Sequence, residues 1–461
     1  MLKKSFLLLN IIALTSTALA GKIPLESLSL KQLSYKAIEA SLNNQIQAAD
    51  ENYFVGEWPT RIQSTLIPIM AGVGRPIGKN EEATGFTTAA VINILAQTYL
   101  ENSDLKHEAP LSQIPASIQN GINSLTRYQQ GSTFNFYPPR MNKGVEVRRP
   151  INMTLLPIWH GFTNVPNDSD TSSSVFSAKM YNAKINGDKY KISENSLTEF
   201  SKFRDVNRKA QFYNRFNNLK NSGGFLTWLH DENDPNMPRF YFASSSKGAR
   251  IPFNRNDVDC VVNANILRML ALAGKPNQIG RTDACEMLNK AIANDEHKDC
   301  GIYYPNTLNL SYAIASSEKA GETCITEQSH KRIVDKILAM QLGDGSWTNE
   351  GNIWQDPTLT TAYAMASLLH YANPREDRVH TALVYGVHSL LKNARQKDTQ
   401  IYWDADHYFT ATAIARSLIM WESKAYTNAI VGEVLLKMSK EFPNYTTSQY
   451  LKLNFQGPND Y

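Results

Sequence analysis

Cysteine is scarce in this chain, with four in 461 residues, at positions 260, 285, 300 and 324. None stands in C-x-x-C spacing, which argues against a zinc site. Long apolar runs are missing as well, and the run Phe6–Leu14 is too short to cross a bilayer. No integral membrane segment is expected. An excess of one charge is also lacking: 47 basic against 43 acidic residues leave +4. Nucleic-acid binding therefore has no electrostatic footprint. What remains is an ordinary globular composition, 42% apolar, 20% charged and 10% aromatic.

The first twenty residues, MLKKSFLLLNIIALTSTALA, place two lysines before the apolar run and end on Ala18-Leu19-Ala20. This is the pattern of a secretory signal cleaved after Ala20. Residues 1–20 are thus expected to be a leader, 21–441 a single domain and 442–461 a polar tail. The mature protein is expected in the periplasm or outside the cell. Such compartments favour disulfides over thiol chemistry.

One phrase recurs along the chain: DVDCVVNANIL at 257, NTLNLSYAIAS at 306, DPTLTTAYAMA at 356 and DADHYFTATAIA at 404, spaced by 49, 50 and 48 residues. EATGFTTAAVINIL from Glu82 and DSDTSSSVFSA from Asp168 share its grammar. Each copy opens on a capping or acidic residue and continues as a small, alanine-rich helix able to pack on all sides. Amphipathic helices precede these inner ones, as in TEQSHKRIVDKILAMQ at 326–341. Turns rich in glycine and aromatics join the two kinds, among them GEW (56–58), GSW (345–347) and IYW (401–403). The pattern predicts an all-α fold, an (α/α)6 toroid of six helical hairpins with long loops at one mouth. Inner helices are expected to begin near Glu82, Asp168, Asp257, Thr307, Thr358 and Asp406, with a final helix near 425–439 capping the ring. In such a ring Cys260 and Cys300 lie at the mouth, while Cys285 and Cys324 open outer helices at the other end. The predicted pairs are Cys260 with Cys300 and Cys285 with Cys324, the alternative being a local Cys285–Cys300 loop.

Within KILAMQLGDGSW, residues Gln341, Gly345 and Trp347 fit a Q-x3-G-x-W form, and Gln130, Gly131 and Phe134 form a degraded second copy. On these residues the chain resembles the α/α toroids of the terpenoid cyclase and prenyltransferase superfamily. Glycoside hydrolases and polysaccharide lyases also use toroids of this kind. The resemblance implies a central cavity. In class II cyclases the middle acid of an Asp-x-Asp-Asp motif protonates an alkene, which maps to Asp170 of DSDT or Asp259 of DVDC; neither motif carries the fourth acidic residue.

Inner helices starting on one face would gather their N-termini and acids at one mouth. The candidate catalytic residues are Asp168, Asp170, Asp257, Asp259 and Asp406, with His160 as a further possible base. N-capping accounts for one aspartate of each pair and leaves the second over. Trp58, Tyr137, Trp159, Trp228, Trp354 and Trp403 lie in or beside the turns and are candidates for stacking on a substrate; core packing is the plainer account. Arg148 and Arg250, in the long loops, are candidates for holding an anion, or are solvated charge paired with nearby acids.

These features lead to an exported carbohydrate-active enzyme, a glycoside hydrolase or polysaccharide lyase, acting on a glycan or other small molecule at the mouth. The alternatives are a terpenoid-cyclase-like enzyme acting on an isoprenoid by aspartate protonation, and a noncatalytic binding scaffold. An aromatic-lined blind cavity would favour the isoprenoid, an open polar groove the glycan, and a filled mouth the scaffold. No cofactor and no bound metal are expected, and the chain is expected to act as a monomer.

Overall fold

The computed structural model describes residues 23–64, 77–142, 144–150, 152, 164–208, 221–231, 249–251, 256–296, 300–349, 357–411 and 419–452. The expected leader, together with Trp159, His160 and Trp354, lies outside the described residues.

Inner and outer helices alternate along the chain. The outer ones are α1 (Leu30–Asn43), α3 (Ile114–Leu125), α5 (Glu194–Lys202), α7 (Arg281–Ala293), α9 (Glu327–Ala339) and α11 (Asp377–Asn393). The inner ones are α2 (Gly85–Glu101), α4 (Ser169–Asn186), α6 (Cys260–Leu272), α8 (Asn309–Lys319), α10 (Pro357–Tyr371) and α12 (Lys424–Glu441). Composition decides which is which. Helix α10 is buried without a break from Thr358 to Leu369, because alanine, serine and threonine let helices approach closely on every side. Helix α9 buries only Ser329, Ile333 and Ile337, one stripe at helical spacing. Each inner helix packs on the next, α2 on α4, α4 on α6, α6 on α8, α8 on α10 and α10 on α12, and α12 returns to α2. The ring is closed. Helix α1 seals the join, packing along α12 where Gly432 is so close to Ile38 that a Cβ there would stand 2.7 Å from its side chain.

The turns explain the repeated glycine and tryptophan. In the fifth hairpin the Gln341 amide donates to Gly345 O and to Ala382 O of α11, tying the turn to the next outer helix. Gly345 has φ +81°, and a Cβ on it would meet Tyr385 O at 2.5 Å. Trp347 donates its indole N–H to Ile337 O and its backbone N–H to the Thr361 hydroxyl, bridging outer and inner helix. The first hairpin repeats every element: Gln45 donates to Gly56 O and Ser117 O, Gly56 has φ +93° against Asn120 O, and Trp58 donates to Ser41 O and Thr88. Gly121 and Gly386 leave room for the two tryptophan rings. The second good copy of the motif is therefore Gln45, Gly56 and Trp58, with its glutamine too far from its glycine for the Q-x3-G form.

The sixth inner helix does not begin at Asp406. His407–Thr410 form a strand, and the helix expected to cap the ring is itself the sixth inner helix, α12. Alternating His407-Tyr408-Phe409-Thr410 suits a pleated strand better than a helix. The strands, in chain order, are β1 (Thr60–Ser64), β2 (Ile77–Glu82), the short hairpins β3–β4 (Gln129–Gln130, Thr133–Phe134), β5–β6 (Arg140–Asn142, Val145–Val147) and β7–β8 (Arg395–Lys397, Gln400–Tyr402), then β9 (His407–Thr410) and β10 (Ile419–Glu422). Antiparallel pairing in the order β2-β1-β10-β9 makes a four-stranded sheet at the end of the ring where the inner helices begin. Its register sets Ile62 opposite Trp421 and Met420 opposite Thr410.

Both predicted disulfides are present, Cys260–Cys300 with Cα atoms 5.3 Å apart and Cys285–Cys324 with 5.8 Å. They are those of a protein that folds in an oxidising environment. No helix among the described residues is long and apolar enough to cross a membrane. Beyond Glu441 the chain adds a short helix, α13 (Thr447–Leu451), whose Thr447 hydroxyl is bonded to Leu25 O and Leu28 O.

Candidate active site

The inner helices do begin at one mouth. Polar side chains there link helix starts: Tyr304, before α8, reaches across to Asp170 of α4, and Asp406 Oδ2 accepts the Leu359 N–H of α10 while its own N–H bonds Thr427 of α12.

The Asp-x-Asp pairs at the starts of α4 and α6 are used differently. Asp168 is the N-cap of α4, its Oδ1 accepting the Thr171 N–H at 2.6 Å. Asp170 then falls within the first turn and does no capping. Its Oδ1 accepts Asn265 Nδ2 at 2.8 Å, and its Oδ2 accepts the Tyr304 hydroxyl. On α6 the register is two residues later, so the second acid, Asp259, is the cap. Its Oδ1 accepts the N–H groups of Val261 and Val262, and its Oδ2 that of Tyr303 at 2.8 Å. This corrects the expectation that the second acid of each pair is surplus to capping. Asp257 instead accepts the Tyr303 hydroxyl at 2.7 Å.

All four carboxyls are buried, and burial disfavours the charged form. Asp168 and Asp257 are pushed up to about 8, Asp170 to about 7 and Asp259 to about 6. Asp259 rises least because backbone N–H groups on both of its oxygens stabilise the carboxylate. Hydrogen bonds from Tyr304 and Asn265 do the same, more weakly, for Asp170.

Asn265 and Tyr304 also line a small cavity on the ring axis, about 30 Å³ in volume, so Asp170 stands immediately behind its wall. Phe86, Tyr304, Tyr312 and Tyr426 supply aromatic faces, and Ser174, Asn265, Asn309, Arg268 and Ser316 supply polar groups. The cavity is narrow. Above it, Phe409 of β9 fills the mouth, its ring 5.2–5.8 Å from those of Phe86, Phe136, Tyr303, Tyr304 and Trp421. The neighbouring Tyr408 hydroxyl bonds Thr60 and Thr87, and the Thr410 N–H donates to Tyr303 O.

The other candidates fall elsewhere. Trp58 and Trp403 are fully buried between the helices of their own hairpins with indole N–H groups on Ser41 O and Leu390 O; they hold turns together and do not line the cavity. Tyr137 packs edge-on against Phe136 beneath the sheet. Trp228 donates to the Tyr303 hydroxyl, which itself bonds Asp257. Arg148 is buried on Glu146 and the carbonyls of Tyr128 and Tyr137, a loop clamp rather than an anion site. The Arg250 backbone N–H is bonded to Asn164 O, and its side chain does not line the cavity. The group of potential metal ligands among the described residues is Cys285, Glu322 and Cys324, whose two sulfurs are joined to each other.

No family model matches the sequence, and no curated protein does. Solved structures do match. The type II terpene cyclase MstE from Scytonema superposes with a TM-score of 0.53 at 13% identity, covering 89% of this chain and 99% of that one. The fold is the terpenoid-cyclase-like α/α toroid. A variant of the same cyclase in complex with its substrate, geranylgeranyl dihydroxybenzoate, matches equally, with a TM-score of 0.53 at 12% identity over 89% and 99% of the chains. A protein from Actinoplanes gives 0.51 at 12%, over the same shares. The expected glycan enzyme draws no support from these likenesses or from the site: among the described residues the mouth is an aromatic plug over buried acids, not an open polar groove.

Asn265, Phe409 and Arg268 went unnoticed in the sequence. Asn265 and Arg268, three apart on one face of NANILRML, were the available signal for two of them.

Proposed function

We propose that the chain is a terpenoid-cyclase-like enzyme that protonates an alkene of an isoprenoid-type substrate, with Asp170 as the acid. The observation that carries this reading is Asp170 itself. Alone among the four aspartates at the starts of α4 and α6 it neither caps a helix nor lies away from the cavity, and both residues that bond it line the cavity wall. Its position near 7 keeps a large fraction protonated at neutral pH, as a general acid requires. In the step proposed, the Asp170 proton adds to one alkene carbon and leaves positive charge on the other. The faces of Phe86, Tyr304, Tyr312 and Tyr426 then stabilise that cation until a second double bond closes a ring; the ring cation so formed loses a proton to solvent to give a neutral isomer, and solvent returns a proton to Asp170. The aromatic plug has to move for substrate to enter. The test is incubation of the purified protein with linear isoprenoids and detection of cyclised isomers. Product formation that disappears in Asp170→Asn supports the reading, and turnover unchanged in that variant refutes it.

The filled mouth favours a second reading, a noncatalytic binding shell. It is preferred if isoprenoids bind and none is converted. Export follows from the leader pattern, and an N-terminus at Gly21 in protein recovered from the periplasm or medium would establish it.

A further inference from the structure

One charged group in the cavity has no hydrogen-bond or ion-pair partner among the described residues. Arg268, on α6 one turn deeper than Asn265, lines the cavity and is more than nine-tenths buried. Among the described residues it makes no hydrogen bond, ion pair or ring contact. Of the carboxylates that share its surroundings, Asp170 feels the Arg268 charge, which lowers that carboxyl, but its hydrogen bonds go to Asn265 and Tyr304, and Glu433 is held by Lys319 and the Tyr312 hydroxyl. A guanidinium keeps its charge in a protein, and a buried charge without a partner is strongly disfavoured. Such a group calls for an anion from outside the chain. A second orphan stands nearby: the Ser174 hydroxyl, on the same cavity wall, is buried without a hydrogen-bond partner. On α4, the Tyr181 hydroxyl is also unpartnered and lies within the field of Arg268.

We propose that the deep end of the axial cavity is a carboxylate seat, so that the substrate is an apolar chain carrying one carboxylate, held bidentately by Arg268 with Ser174 donating. This rests on the reading of the cavity as the substrate site. Charge selects a monoanion, because one free guanidinium balances one negative charge. A diphosphate would need further cations, and the nearby Lys319 already pairs with Glu433. With a volume of about 30 Å³ the cavity has room for the carboxylate head alone, so the apolar chain would extend toward the mouth once the aromatic plug moves. The carboxylate would lie about one helical turn, ~5 Å along the axis, below Asn265 and hence below Asp170.

Direct binding tests this without turnover, using farnesoic acid, farnesol and farnesyl diphosphate against the wild-type chain, Arg268→Gln and Arg268→Lys. The acid is expected to bind roughly ten- to hundredfold more tightly than the alcohol, the worth of a charge-assisted hydrogen bond. Arg268→Gln should erase that preference and Arg268→Lys should keep part of it. Without ligand, Arg268→Gln should melt no lower than wild type, since it removes an unpaired buried charge. Equal binding of acid and alcohol, a diphosphate preference, no binding of any probe, or an acid preference surviving in Arg268→Gln would each overturn the seat. Arg268-dependent binding of the acid with no cyclised product and no effect of Asp170→Asn would leave the seat standing and sink the proposed enzyme.

Discussion

The starts of α4 and α6 carry the same three-residue pattern and put it to opposite use. At α4 the cap comes first, so the second acid is carried into the helix and onto the cavity wall. At α6 the cap comes second, both its oxygens hold backbone N–H groups, and the Cys260–Cys300 bond pins the same turn. A shift of two residues in where the helix begins separates a group placed for chemistry from one placed for architecture.

Paired substitutions should pull the two ends apart. The largest effect is expected from Asp170→Asn, a loss of about 10²–10⁴-fold in turnover, the typical worth of a general acid, with the melt close to native. At α6 the large effect should be on stability instead. Replacing Cys260 and Cys300 by serine releases a link across 40 residues and should cost about 4 kcal/mol in denaturant unfolding, with no counterpart at α4. Asp259→Ala should cost about 0.5–2 kcal/mol by removal of the cap and leave ligand binding intact. Equal behaviour of Asp170 and Asp259 variants in both assays would erase the distinction.

How much of this was legible follows from which signals are local. Alanine-rich inner helices and their spacing announce the ring, because close packing on all sides demands small residues wherever it occurs. The disulfides followed from the ring. The first glutamine-glycine-tryptophan element was hidden, since the chain between Gln45 and Gly56 loops out and returns, and only three dimensions bring them together. Which aspartate caps was hidden for a related reason: both positions offer a carboxylate, and the choice is made by where the preceding segment lets the helix begin. Tyr303 helps decide it by donating to Asp259 from a different hairpin. β9 was misread because the copy at 404 shares its acidic opening with helix starts, while its alternating aromatics mark a strand.

A further effect expected is a dependence on pH. A carboxyl pushed up in the folded chain binds its proton more tightly there than when unfolded, so stability is full below the ordinary carboxylate value near 3.8 and declines as pH rises toward the folded values. Asp168 and Asp257, both near 8, extend that decline into the mildly alkaline range. Melting should therefore be lower at pH 8.5 than at pH 5, and Asp257→Asn should flatten the slope. Asp259→Asn should change it less, because Asp259 is raised least. A melting temperature that climbs with pH across that range would contradict the burial argument.

The most direct measurement follows the proton. An isoprenoid substrate converted in D2O should yield a cyclic product carrying one solvent deuterium at the protonated carbon, with conversion falling as pH rises through about 7 and lost in Asp170→Asn but kept in Asp259→Asn. A product free of deuterium, or undiminished conversion by Asp170→Asn, would contradict the assignment of Asp170 as the acid.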